Sequence, residues 1–266
     1  MRRVGRVMAW LYTWFFFMPI FAAATFVFGI GAILLSLVSR RVGSLCGVAW
    51  GRVVLATAGL RVRVVGRERF DRRRQYVVMA NHRSHFDAPL LYGWLGFRFL
   101  WVMKKELRRA PVLGPACARV GHIFIDRRDH AQAVAALREG LARSAGASVL
   151  FFPEGTRSPD RNLLPFKKGG FALAAEAGLP ILPVTVTGTE RALSARRMIV
   201  FPFRRVVIRF HAPIFPPASS APEARDAFLE AVRARIASGL EGPANGVRAE
   251  TAAAESEWTP TTTAQG

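Results

Sequence analysis

Polar positions almost vanish near the start of the chain. From Val7 to Ser39 no side chain carries a charge, and Trp10 to Phe17 is nearly all aromatic. An unbroken helix of that length would run about 50 Å, against a bilayer hydrocarbon core of about 30 Å, too long for one perpendicular crossing. Pro19 and the Gly29-Ile30-Gly31 stretch are the natural breakers. Arginines flank both ends, Arg2, Arg3 and Arg6 before and Arg40 and Arg41 after, which favours keeping both ends on the cytoplasmic side. The pattern therefore predicts a membrane-embedded helical hairpin that dips into one leaflet. A single tilted crossing is the alternative. A cleaved signal peptide ending at Ala22-Ala23-Ala24 fits less well, because the apolar run continues past that point.

From Leu60 onward the period changes. Short β-branched runs at Arg61–Val65, Gln75–Ala80, Phe99–Met103, His122–Ile125, Ser148–Phe152, Ile181–Thr187 and Val206–Phe210 alternate with helical patterns, clearest at Ala131–Ser144 and Pro222–Ser238. Such alternation predicts an α/β domain, a mostly parallel central sheet flanked by helices. The expected organisation is membrane-anchoring helices over 1–59, the α/β domain over 60–240, and a disordered tail over 241–266. That tail is Ala, Thr and Glu with almost no large apolar residue to bury.

Composition sharpens the picture at three points. An apolar share of 51% with 20 Phe excludes a disordered chain and reinforces the membrane reading. Cys46 and Cys117 stand in isolated contexts without metal-ligand spacing, so neither a disulfide framework nor a zinc site is expected. The net charge of +20 sits mostly between residues 42 and 219 and suits nucleic acid, anionic lipid or a phosphorylated substrate. A nucleic-acid module would interleave its cations with exposed aromatics. Here the aromatics concentrate in the uncharged amino-terminal run, which argues against that class.

Candidate chemistry lies where strands run into loops. In Asn81-His82-Arg83-Ser84-His85-Phe86-Asp87, His82 and Asp87 would stand about 140° apart on a continuous helix. A loop can bring them together. Ser84-x-x-Asp87 is a capping-box pattern, which predicts a helix starting at Ser84 and a carboxylate able to reach back to the imidazole. That pairing suits a histidine general base; the plainer reading is a helix cap beside an idle histidine. A metal site from His82, His85 and Asp87 lacks further ligands nearby. Phe152-Pro153-Glu154-Gly155-Thr156-Arg157-Ser158 offers an arginine fork for a phosphate and a carboxylate for hydroxyls. Lys104-Lys105 and Asp126-Arg127-Arg128 are further cations at predicted strand ends.

Taken in order, Asn81–Asp87, Gly121–Arg127, Phe152–Ser158 and Leu179–Val184 resemble the four motifs of the glycerolipid acyltransferase family, most closely the bacterial 1-acylglycerol-3-phosphate branch. The resemblance covers about Leu60 to Phe215. It implies transfer of a fatty acyl group from acyl-CoA or acyl carrier protein to the sn-2 hydroxyl of lysophosphatidic acid, without metal or other cofactor. His82 would then be the base and Asp87 its orienting partner. Lys105, Arg127, Glu154, Gly155, Thr156 and Arg157 would hold the glycerol phosphate, and Pro183 would lie toward the acyl donor. Arg83 and His85 fall at variable positions and receive no role. The expected partners are membrane lipid and the thioester donor, with no nucleic acid, at the cytoplasmic face of the inner membrane. Other lysolipids, including lyso-ornithine lipid, are alternative acceptors.

Overall fold

The computed structural model describes residues 2–126, 128–144, 146–158, 162–193, 198–219 and 221–241. The expected tail from Gly242 lies outside the described residues.

The β-branched runs form seven strands: β1 (Arg61–Val65), β2 (Val77–Ala80), β3 (Phe99–Lys104), β4 (Ile123–Ile125), β5 (Ser148–Phe151), β6 (Ile181–Thr187) and β7 (Arg205–Phe210). They make one sheet in the order β1-β7-β6-β2-β5-β3-β4. Every neighbouring pair is parallel except β6 with β7. The α/β expectation therefore holds. β2 reads Val-Val-Met-Ala without a polar residue because both faces of the sheet are covered. Period-two alternation sends Val78 and Ala80 to one core and Val77 and Met79 to the other.

The first core gathers helices α3 (Arg40–Thr57) and α4 (Asp87–Trp94) through Val54, Leu55, Leu90 and Leu91. The second gathers α6 (His130–Ala142), α7 (Gly169–Glu176) and α9 (Pro222–Glu241) through Leu137, Phe171, Phe228, Val232 and Ile236. α5 (Leu113–Val120) stands beside the amino-terminal helices, and α8 (Thr189–Ala192) is a single turn after β6.

The uncharged amino-terminal run does not fold back on itself as the expected hairpin but forms one helix. α1 (Arg2–Leu11), a π-helical turn (Tyr12–Phe17) and α2 (Met18–Val38) follow one another as one helix, and the turn comes only at Ser39. Pro19 does not break it: proline lacks a donor and crowds the carbonyl four residues back, and the wider π turn just before it accommodates both. Gly29 is a contact rather than a hinge, since a Cβ there would stand 2.4 Å from Val112 Cγ1. Extended Ser39 (φ −159°, ψ 132°) accepts from Arg41 N at 3.2 Å and starts α3, the second arm.

The long helix lies along the α/β domain. Ala9, Thr13, Phe17, Ala24 and Ala32 form a buried stripe at near-helical spacing, while Phe15, Phe26, Val27, Leu34, Leu37 and Val38 are exposed. Val4–Val38 is, among the described residues, the helix long and apolar enough to cross a membrane.

Candidate active site

The site collects at the ends of parallel strands. β2 finishes at Ala80, and buried Asn81 continues the ladder with its side chain: Nδ2 donates to Val186 O (2.9 Å) and Oδ1 accepts from Val186 N (2.7 Å). This locks the loop after β2 to β6. α4 begins at Asp87 rather than Ser84. Half of the predicted capping box forms, with Asp87 Oδ2 accepting from Ser84 N at 2.8 Å. The Ser84 hydroxyl serves Phe86 N and Leu193 O instead.

Asp87 is fully buried and saturated with donors. Oδ2 takes His82 Nδ1 (2.9 Å), Arg83 N (2.7 Å) and Ser84 N; Oδ1 takes the Thr189 hydroxyl at 2.6 Å. Four donors and a helix N-terminus all complement a carboxylate at this place. In the neutral imidazole, a carboxylate acceptor selects the tautomer with the His82 proton on Nδ1, which leaves the Nε2 lone pair pointing away from Asp87. The imidazole lies flat on Phe152, with ring centroids 3.8 Å apart and planes within 6°.

The loop after β5 meets this one. Buried Glu154 accepts from His82 N through Oε1 (2.8 Å) and from Leu164 N through Oε2 (2.9 Å). Burial pushes its carboxyl above the usual carboxylate range, against the opposing pull of those amides and of His82 and Arg83. Its oxygens thus clip two loops together instead of facing the pocket, a placement different from the expected contact with substrate hydroxyls. Gly155 has φ +72°, and a Cβ there would stand 2.7 Å from Lys167 Cε, so glycine suits this turn on both counts.

Arg157 Nη1 lies 2.7 Å from His85 Nδ1. Arginine can only donate, so His85 accepts on Nδ1 and in its neutral form carries its proton on Nε2. Burial and then the Arg157 charge lower the His85 pKa, which keeps it neutral. Two histidines three residues apart therefore have opposite tautomers, His82 with a bare Nε2 and His85 with an Nε2–H.

Both histidines, with Gly155, Thr156, Arg157 and Lys104, line one end of a pocket of about 440 Å³. Its remaining wall is mostly apolar, including Phe28, Trp50, Val102, Met103, Leu113 and Val120 from α2, α3, β3 and α5. Lys105, expected at the substrate, is paired with Asp126 and lies outside this lining; Lys104 takes the place instead. Arg127 lies outside the described residues. In the apolar wall, His122 Nδ1 accepts from Trp101 N (3.0 Å), so its Nε2–H donates to the Tyr92 hydroxyl at 2.6 Å. Burial pushes His122 down to about 4 and the neighbouring Cys117 thiol up to about 11.

The sequence reading missed His85, Thr189, Phe152 and Lys104. For His85 and Lys104 the signal was adjacency to a motif residue. Thr189 lies 102 residues from Asp87 in sequence, and only the pairing of β2 with β6 brings it near.

A histidine backed by a buried carboxylate, at the polar end of an apolar pocket on a parallel sheet, can take a proton from a hydroxyl held beside an apolar chain. Residues 61–187 match the Acyltransferase family model. The chain is 37% identical over 154 residues to a 1-acyl-sn-glycerol-3-phosphate acyltransferase of Limnanthes douglasii, covering 57% of this chain and 54% of that one. With the mouse 1-acyl-sn-glycerol-3-phosphate acyltransferase alpha it shares 33% identity over 180 residues, 66% of this chain and 62% of that one. The chain spans about half the length of the first of these relatives. In structure it resembles PlsC, the 1-acyl-sn-glycerophosphate (LPA) acyltransferase of Thermotoga maritima, with a TM-score of 0.73, 26% identity, and 98% and 100% of the two chains covered.

Proposed function

We propose that this chain is a 1-acyl-sn-glycerol-3-phosphate acyltransferase, converting lysophosphatidic acid and an acyl thioester into phosphatidic acid and a free thiol. The observation that carries the reading is the His82 and Asp87 pair, with the imidazole lining an apolar pocket.

In this reading His82 Nε2 takes the proton of the sn-2 hydroxyl as its oxygen attacks the thioester carbonyl. The tetrahedral oxyanion collapses, the C–S bond breaks, and the imidazolium returns its proton to the leaving thiolate. Direct attack in a ternary complex needs no covalent enzyme intermediate. The His85 Nε2–H is a donor near the reacting atoms, whereas the Gly155 amide is already given to Phe152 O. Arg157 binds the phosphate as a fork, and Lys104 adds its charge. Lys105, held by Asp126, contributes potential rather than contact, and Arg127 enters on its motif alone. The apolar wall takes an acyl chain.

The exposed face of the 2–38 helix rests in the cytoplasmic leaflet of the inner membrane, so the acceptor reaches the site without leaving the lipid phase. The donor is acyl-CoA or acyl carrier protein; the basic body suits either anion.

Purified protein in detergent, given labelled oleoyl-CoA or oleoyl carrier protein and a panel of lysolipids, tests the reading directly. Transfer to lysophosphatidic acid that disappears in His82→Ala supports it. Acylation of another lysolipid alone overturns the acceptor, and a fully active His82→Ala overturns the base.

A further inference from the structure

Among the described residues, the non-glycine residues with positive φ are Val112 (φ 60°) and Phe203 (φ 59°). Bulky side chains rarely adopt this conformation. Each stands against a glycine of the amino-terminal helical region, Val112 over Gly29 and Phe203 over Gly59. Val112 has an internal reason for its strain, because it fills the space left open by Gly29 on α2. Phe203 rests an edge of its ring over Gly59 yet stays 76% exposed, and Met198 in the same segment is 49% exposed.

The surroundings of Phe203 say what it faces. Arg204 and Arg205 follow it, and Arg61 N donates to Arg204 O at 2.9 Å, which brings the start of β1 alongside. Arg61, Arg63, Arg204 and Arg205 are exposed and, among the described residues, form no ion pair. β7 runs antiparallel to β6, so its start lies at the end of the sheet where β6 finishes, the end that carries His82. Val200 N donates to Thr13 Oγ1 at 2.8 Å, tying the segment to the π-helical turn of the long apolar helix.

An exposed, strained aromatic ringed by unpaired arginines and continuous with an exposed apolar helix fits a bilayer better than a protein partner. We infer that residues 198–205 with Arg61 form a second contact with an anionic lipid surface. Phe203 seats at the boundary of headgroup and acyl chain, and Arg61, Arg204 and Arg205 lie on lipid phosphates. This rests on the membrane association in the proposed function and adds a consequence. One helix lying in an interface leaves the α/β domain free to roll about the helix axis. A second contact beside that axis stops the roll and turns the pocket mouth to the lipid.

The test places an environment-sensitive fluorophore on Phe203→Cys in the full chain carrying Cys46→Ala, with Arg73→Cys before β2, at the opposite end of the sheet, as the control. Vesicles are phosphatidylcholine with or without phosphatidylglycerol, and some carry a nitroxide near the headgroup. The expected result is a blue shift and nitroxide quenching at position 203 on the anionic vesicles and no change at position 73. Phe203→Gly, which suits the backbone, keeps its thermal stability and loses rate on vesicle-borne acceptor while its rate in detergent micelles stays the same. Arg204→Ala and Arg205→Ala each lower the vesicle rate about fivefold, as expected for losing one cation at an anionic surface. A label that stays in water at both positions overturns the inference, as does one that moves only when an acidic carrier protein is added. The fluorescence readout needs no turnover, so these results stand apart from any failure of the acyltransferase reading.

Discussion

The loops after β2 and β5 each bury a carboxylate, Asp87 and Glu154, and each carboxylate accepts backbone amides. They nonetheless do different work. Asp87 spends one of its four contacts on a titratable side chain, whereas Glu154 accepts from the backbone amides of His82 and Leu164. Burial alone makes a clip. Burial beside an imidazole whose other nitrogen meets a pocket makes a base. The difference lies in the partner, not in the acid.

The sharpest way to break this contrast is to remove the partner. His82→Ala is expected to lower acyl transfer by about a thousandfold, within the usual range for a lost general base, while the circular dichroism spectrum stays the same. Asp87→Asn comes next. The amide is neutral and can present its NH2 to Nδ1, so the tautomer is no longer enforced. A drop in kcat of about a hundredfold is expected, with a loss of about 2–3 kcal/mol in denaturant titration because charge-assisted bonds are weakened. Glu154→Gln sharpens the contrast from the other side: a stability loss of about 1–2 kcal/mol with kcat changed only severalfold. Equal kcat losses in the two carboxylate variants would show that both acids act on the imidazole.

Smaller effects follow at the rim of the site. Arg157→Ala should raise the acceptor KM about tenfold or more through the lost phosphate fork, with kcat nearly kept. Lys105→Ala, removing a half-exposed cation already paired with Asp126, should change kcat/KM less than about twofold. Kinetics across an acceptor series check both.

Stability against pH probes the histidines away from catalysis. Burial holds His122 and His211 down at about 4, below the ordinary 6.5. Between those values the unfolded chain binds protons that the folded chain refuses. Their contribution is therefore complete above about pH 6.5 and is lost as pH falls toward 4, at up to about 1.4 kcal/mol for each unit of pKa difference. Glu154, raised by burial, works against this trend. Denaturant midpoints across that window should fall with acidity, less steeply in His211→Asn.

Much of this was legible in the sequence because it follows from local periods. Alternating β-branched runs gave the strands, and a strand-loop-helix pattern brought His82 to Asp87. The expected hairpin within 7–39 gives way to one helix, because Pro19 and Gly29 look like breakers only in isolation; a π turn absorbs the first, and Val112 packs on the second. Lys104 and Lys105 were exchanged because one residue of strand length decides which side chain meets the pocket. The Thr189 contact and the opposite tautomers of His82 and His85 depend on tertiary pairing, which no local pattern encodes.

The buried stripe from Ala9 to Ala32 has a practical consequence for anyone handling the protein. Phe28, Gly29 and Ala32 of the long helix, with Gly47 and Trp50 of α3, are part of the pocket wall. Trimming the chain at residue 60 to gain solubility would strip Leu90 and Leu91 of their cover and open the apolar pocket along its length. Solubility and substrate binding therefore compete for the same residues, and a detergent or nanodisc belongs in the preparation from the first step.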